Sequence, residues 1–141
     1  MIYTIGYSKW TVEKVKEKMN ELGVDLLVDL RSTPFGRFNP SFNRTDLQRA
    51  FGSRYVWKGK CLGGKPGPAT EGGMEWLITE HKKGRTLLIM CVEMDPRNCH
   101  RLTDIGARLL MRGIDAVHLI HDGTQHTTKE YGFPWPEPEG A

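Results

Sequence analysis

Short apolar segments alternate with amphipathic segments along the chain, and this alternation predicts strands and helices in turn. The apolar segments cover 2–5, 26–30, 86–91 and 116–120, and each has the length of a strand buried in a sheet. Between them, apolar positions three and four residues apart predict helices over about 11–22, 74–83 and 98–112. Alternating strands and helices are typical of a parallel sheet covered by helices. We therefore predict an α/β fold: a mostly parallel sheet with helices on both faces, in a Rossmann-like three-layer arrangement.

The ends of these elements carry recognisable signals. Ser8 or Thr11 is expected to cap the first helix, and Asn98 is expected to cap the last one. Thr45 and Gln48 have the spacing of a capping box, which predicts a short helix within the proline-containing loop that follows residue 30. The segment 86–91 is the most apolar of the strands, so we expect it at the centre of the sheet.

Length and composition indicate one domain. The 141 residues fall within the usual size of a single domain, which we expect over 1–141. Its proline-rich tail, 131–141, either packs through Phe133 and Trp135 or stays disordered. No apolar run approaches the roughly 20 residues needed to span a bilayer, and the first ten residues lack the pattern of a secretory signal. We therefore expect a cytoplasmic protein with no membrane partner; the oligomeric state stays open.

Charge is distributed unevenly along the chain. The segment 31–65 contains eight Lys and Arg residues but one carboxylate, whereas the remaining residues contain 12 cations and 16 carboxylates. Aromatic residues are interleaved with these cations: Phe35, Phe38, Phe42, Phe51, Tyr55 and Trp57. Cations attract phosphates, and exposed rings stack on bases, so the pattern fits binding of a nucleotide or nucleic acid. Phe38 and Phe42 lie in polar loop sequence and are the rings expected at the surface. The alternative is that the rings are core residues and the cations are solvated or paired.

Chemically versatile side chains occur where the predicted strands end. In open α/β sheets ligands bind outside the carboxyl ends of the strands. The side chains at these positions are Asp29, Arg31, Cys91, Glu93, Cys99, His100, Arg101, His118, His121, Asp122 and His126. If the strands are neighbours, these groups converge on one site.

The three cysteines, Cys61, Cys91 and Cys99, are an odd number, which argues against a disulfide framework. Cys99 and His100 are predicted as the first two residues of a helix, where the helix dipole favours a thiolate. The structural alternative is that Cys99 extends the buried stripe that begins at Leu102, because a buried cysteine is often a small apolar residue. Cys91, at the end of an apolar strand, has the same two interpretations.

Two further interpretations involve bound ions. The types of ligand that suit zinc are present in Cys91, Glu93, Cys99, His100 and His118, but their spacing matches no paired zinc motif. Cys91 and Arg97 have the separation seen in the phosphate loop of cysteine phosphatases, but Pro96 between them lacks the N–H that such a loop uses. We therefore predict no cofactor, with zinc as the alternative.

Four motifs identify a family. The chain contains, in order, TIGYS, VDLRSTPFGRFNPSFN, CLGG and CVEMDPRNCHR, and over residues 3 to about 120 it resembles the domain-of-unknown-function 488 family. The resemblance implies a cytoplasmic α/β domain with no settled activity. The family pattern includes Asp29, Arg31, Pro34, Arg37, Cys91, Glu93, Cys99, His100 and Arg101.

These observations favour an enzyme that acts on a phosphate-bearing substrate, either a nucleotide or nucleic acid. The residues predicted to carry or orient the chemistry are Cys91, Glu93, Cys99 and His100. The residues predicted to bind the substrate or its anion are Asp29, Arg31, Arg37, Asn39 and Arg101. A binding protein without catalysis is the competing interpretation, and a metal-dependent hydrolase is the third; the sequence leaves open whether the protein is an enzyme.

Overall fold

The computed structural model describes residues 1–65 and 67–132, and these form one six-stranded sheet. The strands are β1 (Ile2–Gly6), β2 (Leu26–Asp29), β3 (Tyr55–Trp57), β4 (Leu87–Cys91), β5 (Val117–Leu119) and β6 (Gln125–Thr127). They lie in the order β3-β2-β4-β1-β5-β6, and all neighbouring pairs are parallel except β5 and β6. The predicted α/β class with a mostly parallel sheet is confirmed, and β4 is a central strand as expected. From residue 133 onward, the prediction for the tail lies outside the described residues.

Helices connect these strands. They are α1 (Val12–Leu22), α2 (Arg44–Phe51), α3 (Gly59–Leu62), α4 (Glu71–Lys82) and α5 (Ala107–Met111), with a π-helical segment (Arg101–Gly106) leading directly into α5. Short 3₁₀ turns cover Tyr7–Lys9, Pro40–Phe42, Gly52–Arg54 and Pro96–Asn98. Within the described part of the chain, no helix is long and apolar enough to cross a membrane.

Some helix starts differ from the predictions. Thr11 caps α1 as expected, because its hydroxyl accepts a hydrogen bond from the Lys14 N–H. The prediction that Thr45 and Gln48 form a capping box is wrong, because α2 begins at Arg44, one residue before Thr45. The prediction of α4 began about three residues late, because Thr70 caps this helix by accepting from the N–H of Gly73.

The sheet is covered on both faces. On one face, α1 and α2 pack their apolar side chains against the sheet, and on the other face α3, α4 and α5 do the same. β4 serves both cores: Leu88 and Met90 point into the first, and Leu87 and Ile89 into the second. A strand buried on both faces must be apolar at every position, which explains the unbroken run that predicted its central place.

The sheet changes winding direction between β1 and β4. From β1 the chain passes through α1 over β4 to β2, while from β4 it passes through α5 on the other face over β1 to β5. Such a switch point opens a crevice at the carboxyl ends of the two strands. At this point the chain after β4 touches the end of β1 so closely that a Cβ on Gly6 would overlap the carbonyl of Glu93. Gly6 therefore permits the approach that shapes the crevice.

Candidate functional site

A cavity of about 780 Å³ lies at this switch point, at the carboxyl ends of β1, β2 and β4. Six of the residues predicted for the site line it: Arg31, Asn39, Cys91, Glu93, Cys99 and His100. They converge because β2 and β4 are neighbours and because the segment after β4 returns to the same edge. Of the other predicted residues, Asp29 and Arg101 are fully buried and Arg37 is exposed, and none of these three lines the cavity.

Arg31 and Asp29 form a buried ion pair at the end of β2. The Arg31 Nε and Nη2 donate to the two Asp29 carboxylate oxygens over 2.9 and 2.7 Å, and Nη2 also donates to the Phe42 carbonyl over 2.6 Å. Tyr7 and Tyr55 complete the network, since the Tyr7 hydroxyl accepts from Nη1 and the Tyr55 hydroxyl donates to Asp29. Burial and then the bond to Asp29 raise the pKa of Tyr55. The guanidinium of Arg31 is thus directed at partners within the chain, and the pair positions the loop that forms one cavity wall.

The sulfur atoms of Cys91 and Cys99 lie 2.7 Å apart at the cavity wall, and both residues are free cysteines. The hydrogen bond with Cys91 is the largest influence on Cys99 and lowers its pKa to about 5, although burial opposes this shift. The same hydrogen bond, and then burial, raise the pKa of Cys91 well above its usual value. The two shifts together favour a Cys99 thiolate that accepts a hydrogen bond from the Cys91 thiol.

His100 lies beside this thiolate. Its Nδ1 is 3.9 Å from the Cys99 sulfur, and its Nε2 donates to the Leu62 carbonyl over 2.9 Å. Because a carbonyl only accepts, the Nε2 atom carries a proton and the Nδ1 atom is the one that exchanges a proton with the thiol. The contact with Cys99 raises the pKa of His100, although burial opposes it. Each side chain therefore favours the charged form of the other, Cys99 as a thiolate and His100 as an imidazolium.

Cys99 lies directly before the helix and does not form its first turn. The predicted cap Asn98 is instead the last residue of a 3₁₀ turn, Cys99 has an extended backbone, and helical structure starts at His100. The expectation that Cys99 and His100 are the first two helical residues is wrong for Cys99, whose carbonyl accepts from the first helical N–H groups of Leu102 and Thr103. After the Cys91 bond, the stabilising contributions come from His100 and from the backbone N–H and charge of Arg101.

Arg101 is a fully buried cation behind the two sulfur atoms. Its Nη2 donates to the carbonyls of Glu93 and Met94 over 2.9 and 3.1 Å, which fixes the turn after β4. Its Nε and Nη1 atoms have no hydrogen-bond partner, and no carboxylate pairs with Arg101 among the ion pairs of residues 1–65 and 67–132. A buried cation without a carboxylate favours a nearby anion, and its charge lowers the pKa of Cys99.

The outer wall of the cavity is aromatic and basic. Phe35 is 56% exposed and Phe38 is fully exposed, and both line the cavity with Ser32 and Lys65. Phe42, the other ring expected at the surface, is buried and stacks on Tyr7 at a centroid distance of 4.3 Å. That expectation is wrong for Phe42, because the 3₁₀ turn of Pro40–Phe42 directs its ring into the core.

Several cations of the basic segment have partners within the chain. The Arg44 guanidinium lies over the Trp57 ring, the Lys58 ammonium lies over the Trp76 ring, and Arg54 donates to the Val24 carbonyl. The surplus of positive charge in 31–65 is therefore partly structural, and Lys65 is a cation of that segment that reaches the cavity.

The histidines from β5 onward do not line the cavity, because β1 lies between β4 and β5. His118 is buried in β5, where its two ring nitrogens bond to Thr4 and Thr128 over 2.6 and 2.8 Å. Burial, and then the charge of Arg101, lower the pKa of His118 to about 3. His121 lines a separate cavity of about 270 Å³, and His126 lies 3.2 Å from Glu130 on the exposed edge.

The ion-binding interpretations receive no support from the geometry. Within the described ranges, no group of three or more His, Cys, Asp or Glu side chains is placed to hold a metal ion. Arg97 is exposed and pairs with Asp95 over 2.9 Å, so it does not face Cys91 as a phosphate loop requires.

Comparison with known proteins supports the resemblance seen in the sequence. Residues 11–70 match the family model described as "Domain of unknown function DUF488". This match covers less than half of the 141 residues and supports a relationship to the DUF488 family. Comparisons with curated proteins and with solved structures found no match. The matched segment contains Arg31, Arg37 and Asn39, and the cysteine pair follows it in the chain.

Two groups of the matched segment complete the site and were not predicted from the sequence. The Leu62 carbonyl orients His100, and Gly64 lies against the same ring, with a position for a Cβ only 3.2 Å from Nδ1. Both residues belong to the CLGG motif, so the motif itself was the available signal. A backbone carbonyl has no signature in residue type, and its role became visible only in the fold.

Proposed function

We propose that this protein is an enzyme that uses Cys99 as a nucleophile on a phosphate-bearing substrate, a nucleotide or nucleic acid. The observation that carries the proposal is the position of the Cys99 sulfur at the cavity wall, 3.9 Å from His100 Nδ1. The other nitrogen of His100 is held by Leu62. A nucleophile, an adjacent acid–base group and a third group that orients it are the parts required for covalent catalysis.

The proposed reaction has two steps. In the first, the Cys99 thiolate attacks an electrophilic centre of the substrate; the new bond joins sulfur to that centre, and the leaving group departs with the proton of His100 Nδ1. In the second, water attacks the same centre while neutral His100 accepts a proton from it. The bond to sulfur then breaks, and the thiolate and imidazolium are restored. His100 thus acts first as general acid and then as general base.

The walls of the cavity support the substrate class. Its volume of about 780 Å³ lies within the usual range of about 300–1,000 Å³ for small-molecule sites. Phe35 and Phe38 offer exposed ring faces for a base, and Lys65 offers a charge for a phosphate. Glu93 is an exposed carboxylate on the same wall, and the proposal assigns it to contact with the leaving group or with a sugar hydroxyl. A cytoplasmic location, where cysteines stay reduced, is part of the proposal.

A direct test separates catalysis from binding. A fluorescent single-stranded oligonucleotide and adenosine 5′-monophosphate are each incubated with wild type and with Cys99→Ser, and products are followed by chromatography. We expect the variant to bind as wild type does but to form no product. The fully exposed ring of Phe38 favours the second candidate, a binding protein without catalysis. Binding without product in wild type supports that candidate and contradicts the enzyme.

The substrate class is tested by matched surface variants. Lys65→Gln removes a cation from the cavity wall, whereas Lys60→Gln removes an exposed cation that does not line the cavity. Phe38→Ala removes an exposed ring at the cavity, and Met111→Ala removes an exposed apolar side chain on α5. We expect weaker, less salt-dependent oligonucleotide binding for Lys65→Gln and weaker binding for Phe38→Ala. Equal effects of the control variants would contradict a phosphate and base site in this cavity.

A further inference from the structure

The two sulfur atoms at the cavity wall are close enough to react with each other. The Cys91 and Cys99 Sγ atoms are in direct contact at 2.7 Å, and the structure holds both as free thiols. Both atoms belong to a cavity wall, so a small solute reaches them from solvent. The proposed nucleophilic mechanism uses one thiolate and leaves the second thiol without a chemical role.

We propose that Cys91 and Cys99 are a redox-active dithiol that a peroxide converts into an intramolecular disulfide, which withdraws Cys99 from chemistry in the cavity. This inference goes beyond the proposed function and does not depend on it. It requires the contact between the two sulfurs and their access from the cavity, whatever the substrate is.

The oxidation balances in two steps. The Cys99 thiolate attacks one oxygen of hydrogen peroxide; the O–O bond breaks, hydroxide leaves, and Cys99 becomes a sulfenic acid. The Cys91 sulfur then attacks the sulfenic sulfur and loses its proton, the S–O bond breaks, and the disulfide forms with release of water. Two electrons pass from the two thiols to the peroxide. A small dithiol returns the pair to the reduced state by thiol–disulfide exchange.

The surroundings assign different roles to the two thiols. Cys99 is the thiolate, held by His100 and by the charge of Arg101, and a thiolate is the form that reacts with peroxide. Cys91 closes β4 in register opposite Gly6, so the sheet fixes its position against Cys99. Its thiol is kept protonated by the bond with Cys99 and by burial, which suits a resolving cysteine that acts only after its partner is oxidised.

The connecting segment is already closed in the reduced protein. Residues 92–98 run from the end of β4 through a 3₁₀ turn, and the Asp95 side chain accepts from the N–H of Arg97 over 3.0 Å. The Arg101 guanidinium holds the carbonyls of Glu93 and Met94 in the same segment. Disulfide formation therefore requires no large rearrangement, because the loop that it would close is ordered by other bonds.

The third cysteine provides an internal control. Cys61 lies in α3, is half-buried, and its thiol donates to the Lys58 carbonyl over 3.6 Å. Cys61→Ser therefore removes a thiol without touching the sulfur pair. In this variant every change in free thiol content is confined to Cys91 and Cys99.

The experiment exposes the full chain, as wild type and as Cys61→Ser, to hydrogen peroxide and then maps peptides by mass spectrometry. We expect both proteins to lose two thiols per chain and to gain one disulfide between Cys91 and Cys99. We expect no disulfide between two chains. Reaction of Cys99 with iodoacetamide should fall to background and return after dithiothreitol. In Cys91→Ser, Cys99 should stop at the sulfenic acid, which dimedone traps.

The contrary results are equally specific. Conversion of Cys99 to sulfinic acid while Cys91 stays reduced would overturn the proposal, as would pairing of either cysteine with Cys61 or with a second chain. Full retention of both thiols in Cys61→Ser under excess peroxide would overturn it too. None of these readouts involves a substrate, so failure of the proposed enzymatic function would leave this test unchanged.

Discussion

His100 connects Leu62 to Cys99: its Nε2 donates to the Leu62 carbonyl over 2.9 Å, while its Nδ1 faces the Cys99 sulfur at 3.9 Å. Leu62 ends α3, and His100 follows the central strand β4, so this ring joins two separate parts of the chain. The orientation of the ring therefore depends on the CLGG segment as well as on the residues beside the cysteine.

Gly64→Ala tests this dependence. A Cβ at this position would lie 3.2 Å from His100 Nδ1 and 3.3 Å from its Cγ, so the ring must shift by a few tenths of an ångström. We expect a higher Cys99 pKa, seen as a higher midpoint when the iodoacetamide alkylation rate is measured against pH, because a displaced imidazolium stabilises the thiolate less. Gly67→Ala is the matched control in the same loop, since a Cβ there meets no atom of residues 1–65 and 67–132 within 4 Å. Equal midpoints in wild type and Gly64→Ala would show that the ring position does not matter.

The ionisation of Cys99 is the second prediction. Its pKa is lowered to about 5, chiefly by the hydrogen bond from Cys91 and further by His100. Cys91→Ala and His100→Gln should both raise this pKa, and the Cys91 substitution should raise it more. The measurement is the alkylation rate of the Cys99 peptide as a function of pH, in a Cys61→Ser background. A midpoint that stays near pH 5 in both variants would rule out these two groups as the cause.

The sequence predicted the mostly parallel α/β sheet and several of the residues that line the cavity. The apolar run of β4 predicted a central strand because burial on both faces demands it. The helix start was mispredicted at Asn98 because Pro96 begins a 3₁₀ turn and the Asp95 side chain accepts from Arg97 N–H, which holds this segment apart from the helix. Local capping signals of this kind compete over a few residues, and the sequence does not rank them.

The site residues come together because of the order of the strands in the sheet, and this order could not be predicted from the sequence. Cys91 and Arg31 line the same cavity because β2 and β4 are neighbours, whereas His121 lines a different one because β1 lies between β4 and β5. The edge strand β6 was not predicted, since its three residues, QHT, carry no apolar run.

The ion pair at the end of β2 gives a stability prediction. Asp29→Asn leaves the buried guanidinium of Arg31 without its counter-charge, and removal of one partner of a buried pair costs about 3–5 kcal/mol. Tyr55→Phe removes one hydrogen-bond donor to the same carboxylate and should cost about 1–3 kcal/mol. Urea unfolding measures both. A smaller loss for Asp29→Asn than for Tyr55→Phe would contradict the dominance of the charge pair.

The Cys99 thiolate also predicts a pH dependence of stability. Its pKa is about 5 in the folded protein and 9.0 in its unperturbed state, so the unfolded chain binds more protons between these values. The resulting stability is present above pH 9 and is lost as the pH falls towards 5. The pKa of His100 is raised in the folded protein, so as the pH approaches 6.5 this group adds a slope of the opposite sign, which is smaller than that of Cys99.

The comparison is made against Cys99→Ser, which lacks the thiolate and with it the contact that raises the pKa of His100. The free energy of unfolding of wild type relative to this variant should rise from pH 5 to pH 6.5. His118, whose pKa is lowered to about 3, adds a slope in the same direction, but it is common to both proteins and cancels in the difference. A difference that stays constant across this range would show that Cys99 ionises with its ordinary pKa.

Arg101 gives the last prediction, because its charge favours the ionised form of one side chain and disfavours the ionised form of another. The cation favours the Cys99 thiolate, and it disfavours the protonated form of His118; both effects lower a pKa. Arg101→Met removes the charge together with the Nε and Nη1 groups, which have no hydrogen-bond partner among the described residues, so it should raise the pKa of Cys99 and also the pKa of His118. Arg101→Lys keeps a charge in place and should shift both pKa values less. Alkylation follows Cys99, and NMR titration follows the His118 ring. A folded Arg101→Met protein with an unchanged Cys99 pKa would assign Arg101 to holding the Glu93–Met94 turn alone, with the thiolate dependent on Cys91 and His100.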